Sequence, residues 1–385
     1  MTQLVLSGDI GGTKTILRLT RLDLPPSNPV SNLHQTTFSS AAFADLVPMV
    51  EQFLDAATQR HPSILGTLDR ADNSPCNSGD EHPIIAACFA IAGPVVNNTS
   101  RLTNLSWQLS AERLQAELGI ARVELINDFA AIGYGVTTLP PHDLCTLQIG
   151  TSVDRAPIAV LGAGTGLGET YLTWQGDRYQ VHASEGGHTN FAPRTPLQQE
   201  LLNYLTQRHG RVSVERVVSG QGIVAIYQFL RDRSELARSR SSAEALPNEI
   251  PHETSGEASK SVAQAVRAWE QSREGDAGAA IGRAALANTD PLSVQTLEIF
   301  ADLYGSEAGD LALKLLPLGG LYVAGGIAPK ILPFLQSGQF RQAFLDKGRL
   351  QSAISSVPVH VVLNPEVGSI GAALRAAQLG CPGRG

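Results

Sequence analysis

The stretch LSGDIGGTKT, residues 6–15, decides the fold of this 385-residue chain. Apolar and β-branched residues flank it over residues 4–22, as expected of two strands. The adjacent glycines Gly11 and Gly12 supply the positive φ angles that a tight hairpin turn demands. The chain is therefore predicted to open with a β-hairpin that carries a glycine turn.

This turn also has the residues of a phosphate site. Gly11 and Gly12 lack Cβ atoms, so an anion can approach the backbone N–H groups, and Thr13 and Lys14 follow directly. Asp9 precedes the turn and is suited to hold water around Mg²⁺. The turn is not a Walker A loop, because the Gly-Lys-Ser/Thr ending before a helix is missing. An ordinary hairpin with an incidental aspartate is the alternative.

The sequence GAGTGLG supplies a second turn of the same kind, with Gly162, Gly164, Thr165 and Gly166. IAVLG before it and ETYLTWQ after it are predicted strands, and YQVHASE is a third. This order repeats the pattern of residues 4–22 and hints at an internal duplication. Two such turns suggest a nucleotide phosphate chain held between two related lobes.

A third glycine pair, Gly325-Gly326, follows the predicted strand LYVA. The missing Cβ atoms would let the backbone lie close to an adenosine, although a tight strand-to-helix turn explains the pair equally well. Elsewhere the segments 66–82 and 232–278 are polar and poor in large apolar residues, which predicts surface insertions.

Composition and charge exclude several classes of protein. A net charge of -7 with no stripe of Lys and Arg disfavours nucleic-acid partners and anionic membranes. The best apolar run, residues 84–96, is too short to cross a bilayer, and residues 1–8 lack a signal-peptide pattern. A cytoplasmic location is therefore expected. Zinc knuckles and disulfide frameworks are not supported, because the four cysteines are isolated: Cys76, Cys88, Cys145 and Cys381.

Asp128 follows Asn127 at the end of the predicted strand VELIN. A sugar hydroxyl is too weak an acid to attack unaided at neutral pH, so a carboxylate within hydrogen-bond reach is needed to accept its proton. Asp is also a preferred N-cap, and the helix FAAIGYG follows. Spacing supports the two interpretations equally.

The sequence EGGH combines the carboxylate of Glu185 and the imidazole of His188 on one turn with two glycines. Such groups in one pocket reject sugar analogues that leave a buried partner unpaired. A purely structural histidine remains an alternative, and a metal site lacks a third ligand. Glu215 follows Val214 and could equally be a carboxylate favoured at a helix start.

Taken in order, these segments resemble the bacterial glucokinases of the actin-like, hexokinase-type ATPase superfamily. The similar segments are LSGDIGGTKT, LTNLSW, LINDFAA, LGAGTGLG, SEGGHTNFAP, VSVERVVSGQG and YVAGGI. Their order and approximate spacing agree with that family over residues 4–375.

The resemblance implies an α/β fold of ribonuclease H-like type, in which two lobes, each a mixed β-sheet flanked by helices, close over an active-site cleft. It implies domains at 1–138 plus 365–385 and at 139–364. It makes Asp128 the catalytic base that activates the glucose 6-hydroxyl. It also implies a sugar-binding set: Asn104, Asn127, Asp128, Glu185, His188 and Glu215. ATP is implied at the three glycine segments and Gly220, with Mg²⁺ held through water at Asp9.

The sequence therefore predicts ATP-dependent phosphorylation of glucose to glucose 6-phosphate, the first step of glycolysis, by a protein that forms a possible homodimer. A kinase for mannose, fructose or N-acetylglucosamine is the nearest alternative. A non-catalytic sugar sensor is a second alternative, against which the presence of both Asp9 and Asp128 weighs. The cysteine-rich zinc motif of sugar-kinase relatives that act as repressors is missing after His188.

Overall fold

The computed structural model describes residues 3–22, 31–62, 84–102, 105–244, 257–272 and 275–381. The strands are β1 (Gln3–Ile10), β2 (Lys14–Leu22), β3 (Ser31–Ser39), β4 (Ile84–Ile91), β5 (Thr99–Arg101), β6 (Gln108–Ser110), β7 (Val123–Asn127), β8 (Leu144–Gln148), β9 (Ile158–Ala163), β10 (Leu167–Gln175), β11 (Arg178–Ser184), β12 (Gly320–Ala324) and β13 (Val359–Val362).

The α-helices are α1 (Leu46–Arg60), α2 (Ala111–Leu118), α3 (Asp128–Val136), α4 (Pro196–His209), α5 (Gly220–Glu244), α6 (Glu257–Ser272), α7 (Ala277–Leu286), α8 (Pro291–Leu315), α9 (Leu332–Gln336), α10 (Gln339–Leu345), α11 (Gln351–Ile354) and α12 (Val367–Gly380). Among the described residues no helix is long and apolar enough to cross a membrane.

Two mixed sheets share one strand order. The first runs β3-β2-β1-β4-β7, and the second runs β11-β10-β9-β12-β13-β8, so its first five strands repeat the arrangement of the first sheet. In both sheets the three strands after the hairpin partner are parallel: β1 with β4 and β7, and β9 with β12 and β13. This repetition agrees with the duplication that the sequence hinted at. It also places β1 and β9, each followed by a glycine turn, at equivalent positions.

The chain divides into two compact units. The first unit contains Met1–Asp143, Leu172–Ala183 and Asn364–Gly385, and the second contains Leu144–Tyr171 and Ser184–Leu363. The predicted domain boundaries did not assign residues 172–183 to the first unit, because no composition change marks the middle of the β10–β11 hairpin. The last helix, α12, belongs to the first unit, so that unit is built from both ends of the chain.

Each unit has its own hydrophobic core. In the first unit α1 and α2 cover one face of the sheet, and Phe53, Phe89 and Trp107 are its largest fully buried side chains. In the second unit α8 is the central helix, with Phe300 and Tyr304 both fully buried. Burial of such aromatic side chains stabilises each core by about 1.5–3 kcal/mol per side chain. These two cores hold the strand ends that carry the candidate site residues.

The two predicted insertions have different outcomes. Residues 66–82 lie outside the described residues. The described part of 232–278 is mostly helical, in α5, α6 and the start of α7. Val262 and Val266 of α6 are buried in the core of the second unit, so this part is not only a surface feature. Its patchy periodicity concealed a narrow apolar stripe four residues apart, which is enough to bury one helix face.

Candidate active site

The first glycine turn joins β1 to β2, as predicted, and is held by a residue that sequence reasoning missed. The prediction of positive φ angles is wrong, because neither Gly11 nor Gly12 has one. Glycine is needed at position 11 for a different reason: a Cβ there would lie 2.8 Å from Lys14 O. Gly11 N–H donates to Lys14 O at 3.0 Å and closes the turn. The hydroxyl of Ser40 donates to Gly11 O at 2.7 Å, while Ser40 N–H donates to Thr13 O at 3.0 Å. Ser40 is fully buried and lies 29 residues away along the chain, so no local signal could identify it.

Asp128 is not the helix N-cap. The N-cap of α3 is Asn127, whose Oδ1 accepts from Phe129 N–H at 2.9 Å and whose Nδ2 donates to Gly93 O at 3.0 Å. Asp128 is the first residue of the helix, and its Oδ1 also accepts from Phe129 N–H, at 2.8 Å. The capping interpretation of Asp128 is therefore wrong, because its neighbour already performs that role. The β7–α3 junction thereby fixes the backbone of Asp128.

The charge of Asp9 affects the protonation of Asp128 within the first unit. Burial raises the pKa of Asp128 to about 6, the backbone N–H of Phe129 lowers it, and the negative charge of Asp9 raises it. Burial also raises the pKa of Asp9, against the lowering effect of Lys14. β1, β4 and β7 are parallel neighbours, so Asp9 and Asp128 both stand at the carboxyl edge of one sheet. Ligands of α/β proteins bind at such edges.

In the second unit the structure brings the glycine segments together. Gly164 N–H donates to Gly166 O, and Gly220 N–H donates to Gly164 O, both at 2.8 Å. Gly325 has a φ of +81°, and a Cβ there would lie 2.5 Å from Ala163 O. Three segments separated by more than 50 and 100 residues thus meet at the end of β9, and a Cβ on Gly164 or Gly326 would have no atom within 4 Å.

Tyr304 supports this junction and was not predicted. Its hydroxyl accepts from Ala163 N–H at 2.9 Å and donates to Ala324 O at 3.4 Å, so it bridges the ends of β9 and β12. The side chain is fully buried, and burial raises its pKa well above the ordinary value. Its position in α8 looks like any core position in the sequence, so no pattern distinguishes it.

Glu185, His188 and Glu215 converge in the second unit. His188 lies between the two carboxylates: Nε2 is 4.0 Å from Glu185 Oε2, and Nδ1 is 3.9 Å from Glu215 Oε1. Glu185 and His188 are mostly exposed, with 79% and 56% of their side chains accessible, so they can contact a ligand. The guanidinium group of Arg211 donates to His188 O at 2.6 Å and thereby holds the backbone of the turn.

Glu215 connects this cluster to the second glycine turn. Its Oε2 accepts from Leu167 N–H at 3.0 Å, directly after Gly166. Glu215 lies in a three-residue 3₁₀ turn, 214–216, and α5 begins only at Gly220. The helix-start explanation of this carboxylate is therefore not supported, and its anchor is the backbone of β10.

Two further predictions concern the sugar contact of Asn104 and the binding of a metal ion. Asn104 lies outside the described residues. Among the residues that are described, no group of three or more His, Cys, Asp or Glu side chains could form a metal site.

Comparisons with known proteins give a consistent result. Residues 6–379 match the protein family described as Glucokinase. The chain is 52% identical to the glucokinase of Trichormus variabilis over 383 residues, which cover 98% of this chain and 99% of that protein. The crystal structure of a glucokinase from an Antarctic psychrotroph is similar, with a TM-score of 0.74, 28% identity, and 98% and 99% of the two chains covered. A ROK family glucokinase from Streptomyces griseus, solved with glucose and AMPPNP, shares the fold at 18% identity and a TM-score of 0.54, with 98% and 100% covered.

Proposed function

The chain belongs to the glucokinase family, the enzymes that phosphorylate glucose, and we propose that Asp128 is the general base of this reaction. The sequence match and the repeated sheet confirm the predicted family and its actin-like ATPase fold. The assignment of individual residues rests on their geometry and chemistry in this chain.

The observation that carries the proposal is that Asn127, and not Asp128, is the N-cap of α3. Phe129 N–H has Asn127 Oδ1 as an acceptor beside Asp128 Oδ1, so the start of α3 does not depend on the Asp128 carboxylate alone. A pKa of about 6 places it close to the working pH, where a general base combines a high ionised fraction with useful basicity. Asp128 would accept the proton of the glucose 6-hydroxyl as that oxygen attacks the γ-phosphorus of ATP. The bond from this phosphorus to the β–γ bridging oxygen breaks, and ADP leaves.

Glu185, His188 and Glu215 are proposed to bind the other sugar hydroxyls. Two carboxylates flank one imidazole within about 4 Å, so acceptors and a donor stand side by side. Each sugar hydroxyl both donates and accepts, and a site with this alternation penalises sugars that leave one member unpaired. Asn127 and Asn104 complete the predicted set.

The nucleotide is proposed to bind the glycine turns through backbone N–H groups. In the second unit Gly164 and Gly326 have open space where a Cβ would stand, which leaves room for phosphate and ribose close to the main chain. In the first unit Gly11 to Lys14 offers a second turn, and Lys14 adds a positive charge. Asp9 fits Mg²⁺ bound through water, because its carboxylate is partly buried at the same turn. The ion would supply positive charge to the phosphate oxygens.

The base assignment is tested by Asp128→Asn in the full-length protein. This change keeps the side-chain shape and removes the basicity, so kcat is expected to fall by about 10²–10⁴-fold while glucose binding stays measurable by calorimetry. Asp55→Asn is the matched control, because Asp55 is an exposed residue of α1 in the same unit. Near-normal turnover by the Asp128 variant would overturn the proposal.

Glucose specificity and the donor are tested together by a matrix of sugars and phosphoryl donors. Glucose with ATP is expected to give the highest kcat/KM, with mannose, fructose and N-acetylglucosamine each lower. A higher value for another hexose would contradict the assignment of glucose. The cytoplasmic location and the homodimer stay predictions.

A further inference from the structure

A buried carboxyl group lies directly beneath the sugar-binding turn and is not part of the assignments above. Glu169 is the third residue of β10, and only 2% of it is exposed. A Cβ added to Gly186 would collide with Glu169 Oε2, so the backbone of the turn rests on this carboxyl group. The neighbouring Gly187 meets the carbonyl oxygen of Leu167 in the same way.

The start of β10 therefore supports both parts of the sugar cluster. Leu167 N–H holds Glu215, while Glu169 and the carbonyl of Leu167 lie under the two glycines between Glu185 and His188. This arrangement also explains why glycine is required twice in the turn. Any displacement of Glu169 would be transmitted through Gly186 to its neighbour Glu185.

Glu169 has a second acid as its partner. Glu307 of α8 is 5% exposed, and its charge raises the pKa of Glu169 in addition to burial. Within the described part of the chain, one oxygen of each carboxyl group, Oε1, has no hydrogen-bond donor, and Glu307 Oε1 has only a long ion pair, 3.9 Å from Lys314 Nζ. Two carboxylates cannot donate to each other, whereas one shared proton supplies a donor and removes one of two buried charges. Glu307 also lines a small cavity of about 30 Å³, enough for one water molecule.

We propose that Glu169 is a positioning residue: its neutral carboxyl group, paired with Glu307, supports Gly186 and thereby sets the positions of Glu185 and His188. This inference rests on the proposed function, because it treats those two residues as sugar ligands. The proton on Glu169 removes one of the two buried negative charges and so lowers the free-energy cost of burying the pair.

The pair has a defined pH dependence. Burial and the charge of Glu307 raise the pKa of Glu169 to about 8, so the supporting neutral form is present below that pH and is lost above it. Above about pH 8 two negative charges face each other under the turn, and KM for glucose is expected to rise. The other charged or titratable groups around the pair are Tyr304, Asp310, Lys314 and Lys347. Of these, the two lysines lower the carboxyl pKa values and oppose the effect without cancelling it.

Three variants test the inference by steady-state kinetics on the full-length protein. Glu169→Ala removes the support and is expected to raise KM for glucose about tenfold, with kcat and KM for ATP changed less than about threefold. Glu169→Gln keeps a neutral donor of the same shape, so it is expected to restore KM near pH 7 and to abolish the rise above about pH 8. Glu298→Ala is the matched control, since Glu298 is an exposed residue of α8.

The outcomes separate this inference from the proposed function. If Glu185→Gln raises KM for glucose and Glu169→Ala does not, Glu169 has no positioning role. If neither variant changes KM, the sugar-binding assignment itself fails. A rise of KM above about pH 8 that persists unchanged in Glu169→Gln also overturns the inference. This pH comparison decides the question even if the alanine variant fails to fold.

Discussion

At the scale of single residues, Asn127 and Asp128 divide two tasks that the sequence could not assign. Both are good N-caps, and the structure assigns the cap to Asn127, whose backbone is extended with φ -65° and ψ 147°, while Asp128 is the first helical residue. The sequence located the polar pair at a strand end correctly. It could not distinguish their roles, because a shift of one residue in the helix start exchanges them.

We expect kcat/KM for glucose to depend on the protonation of Asp128. Asp128 acts as a base only when ionised, and its pKa of about 6 means that kcat/KM should fall as the pH drops through 6, by about tenfold per unit well below it. The measurement is a pH profile of kcat/KM for glucose at saturating ATP. An unshifted Asp would give a limb near pH 4, and a limb there would contradict the influence of burial and Asp9.

Ser40, Glu169 and Tyr304 show the limit of sequence reasoning at this scale. Each contacts a predicted site segment on another element of the fold, and each is almost fully buried. Buried serine, glutamate and tyrosine side chains have no characteristic spacing. Their roles follow from which strand ends meet, and that information exists only after folding.

At the scale of elements, capping residues have unequal structural roles. Thr195, the N-cap of α4, is exposed and its side chain accepts one hydrogen bond, from Gln198 N–H at 3.2 Å. Asp290 caps α8 and is 2% exposed. It accepts from Ser293 N–H at 3.0 Å, from the Ser293 hydroxyl at 2.5 Å and from the Ser259 hydroxyl of α6 at 2.7 Å. Asp290 therefore joins two helices as well as beginning one.

We expect Asp290→Ala to destabilise the second unit more than Thr195→Ala does. Loss of a cap costs about 1 kcal/mol, and leaving two hydroxyl donors without an acceptor adds about 1–3 kcal/mol for Asp290 only. Hydrogen exchange of α6 and α8 amides measures the free energy of opening. Equal changes in the two variants would show that the bonds from the Ser259 and Ser293 hydroxyls add nothing to the cap.

At the scale of the whole molecule, the hairpin and glycine-turn pattern predicted the architecture better than it predicted the boundaries. Residues 4–22 and the strands around residues 162–166 are confirmed as equivalent hairpins in two sheets of the same order. Residues 172–183 and the buried face of α6 were not anticipated. Membership of a unit depends on long-range contacts, and neither a hairpin middle nor two valines in a polar helix carries a local sign of such contacts.

The first unit is completed by the last helix of the chain, and two glycines allow it. α12 packs against α3, whose first residue is Asp128. A Cβ on Gly371 would collide with Ala131 O of α3, and one on Gly135 would collide with Val367 O of α12. The backbones of α3 and α12 therefore pack directly against each other at these two glycines.

Gly371→Ala is accordingly expected to separate α12 from α3. The overpacking should lower the free energy of unfolding of the first unit by about 1–3 kcal/mol and reduce kcat, because the helix that positions Asp128 must move. Gly368→Ala in the same helix is the control, since a Cβ there meets only Ile132 Cγ1, at an ordinary 3.7 Å. Hydrogen exchange should show lost protection in α3 and α12 of the Gly371 variant and unchanged protection in α8. Loss of protection in α8 as well would mean that the two units unfold together, and the effect would then not be a property of the α3–α12 contact.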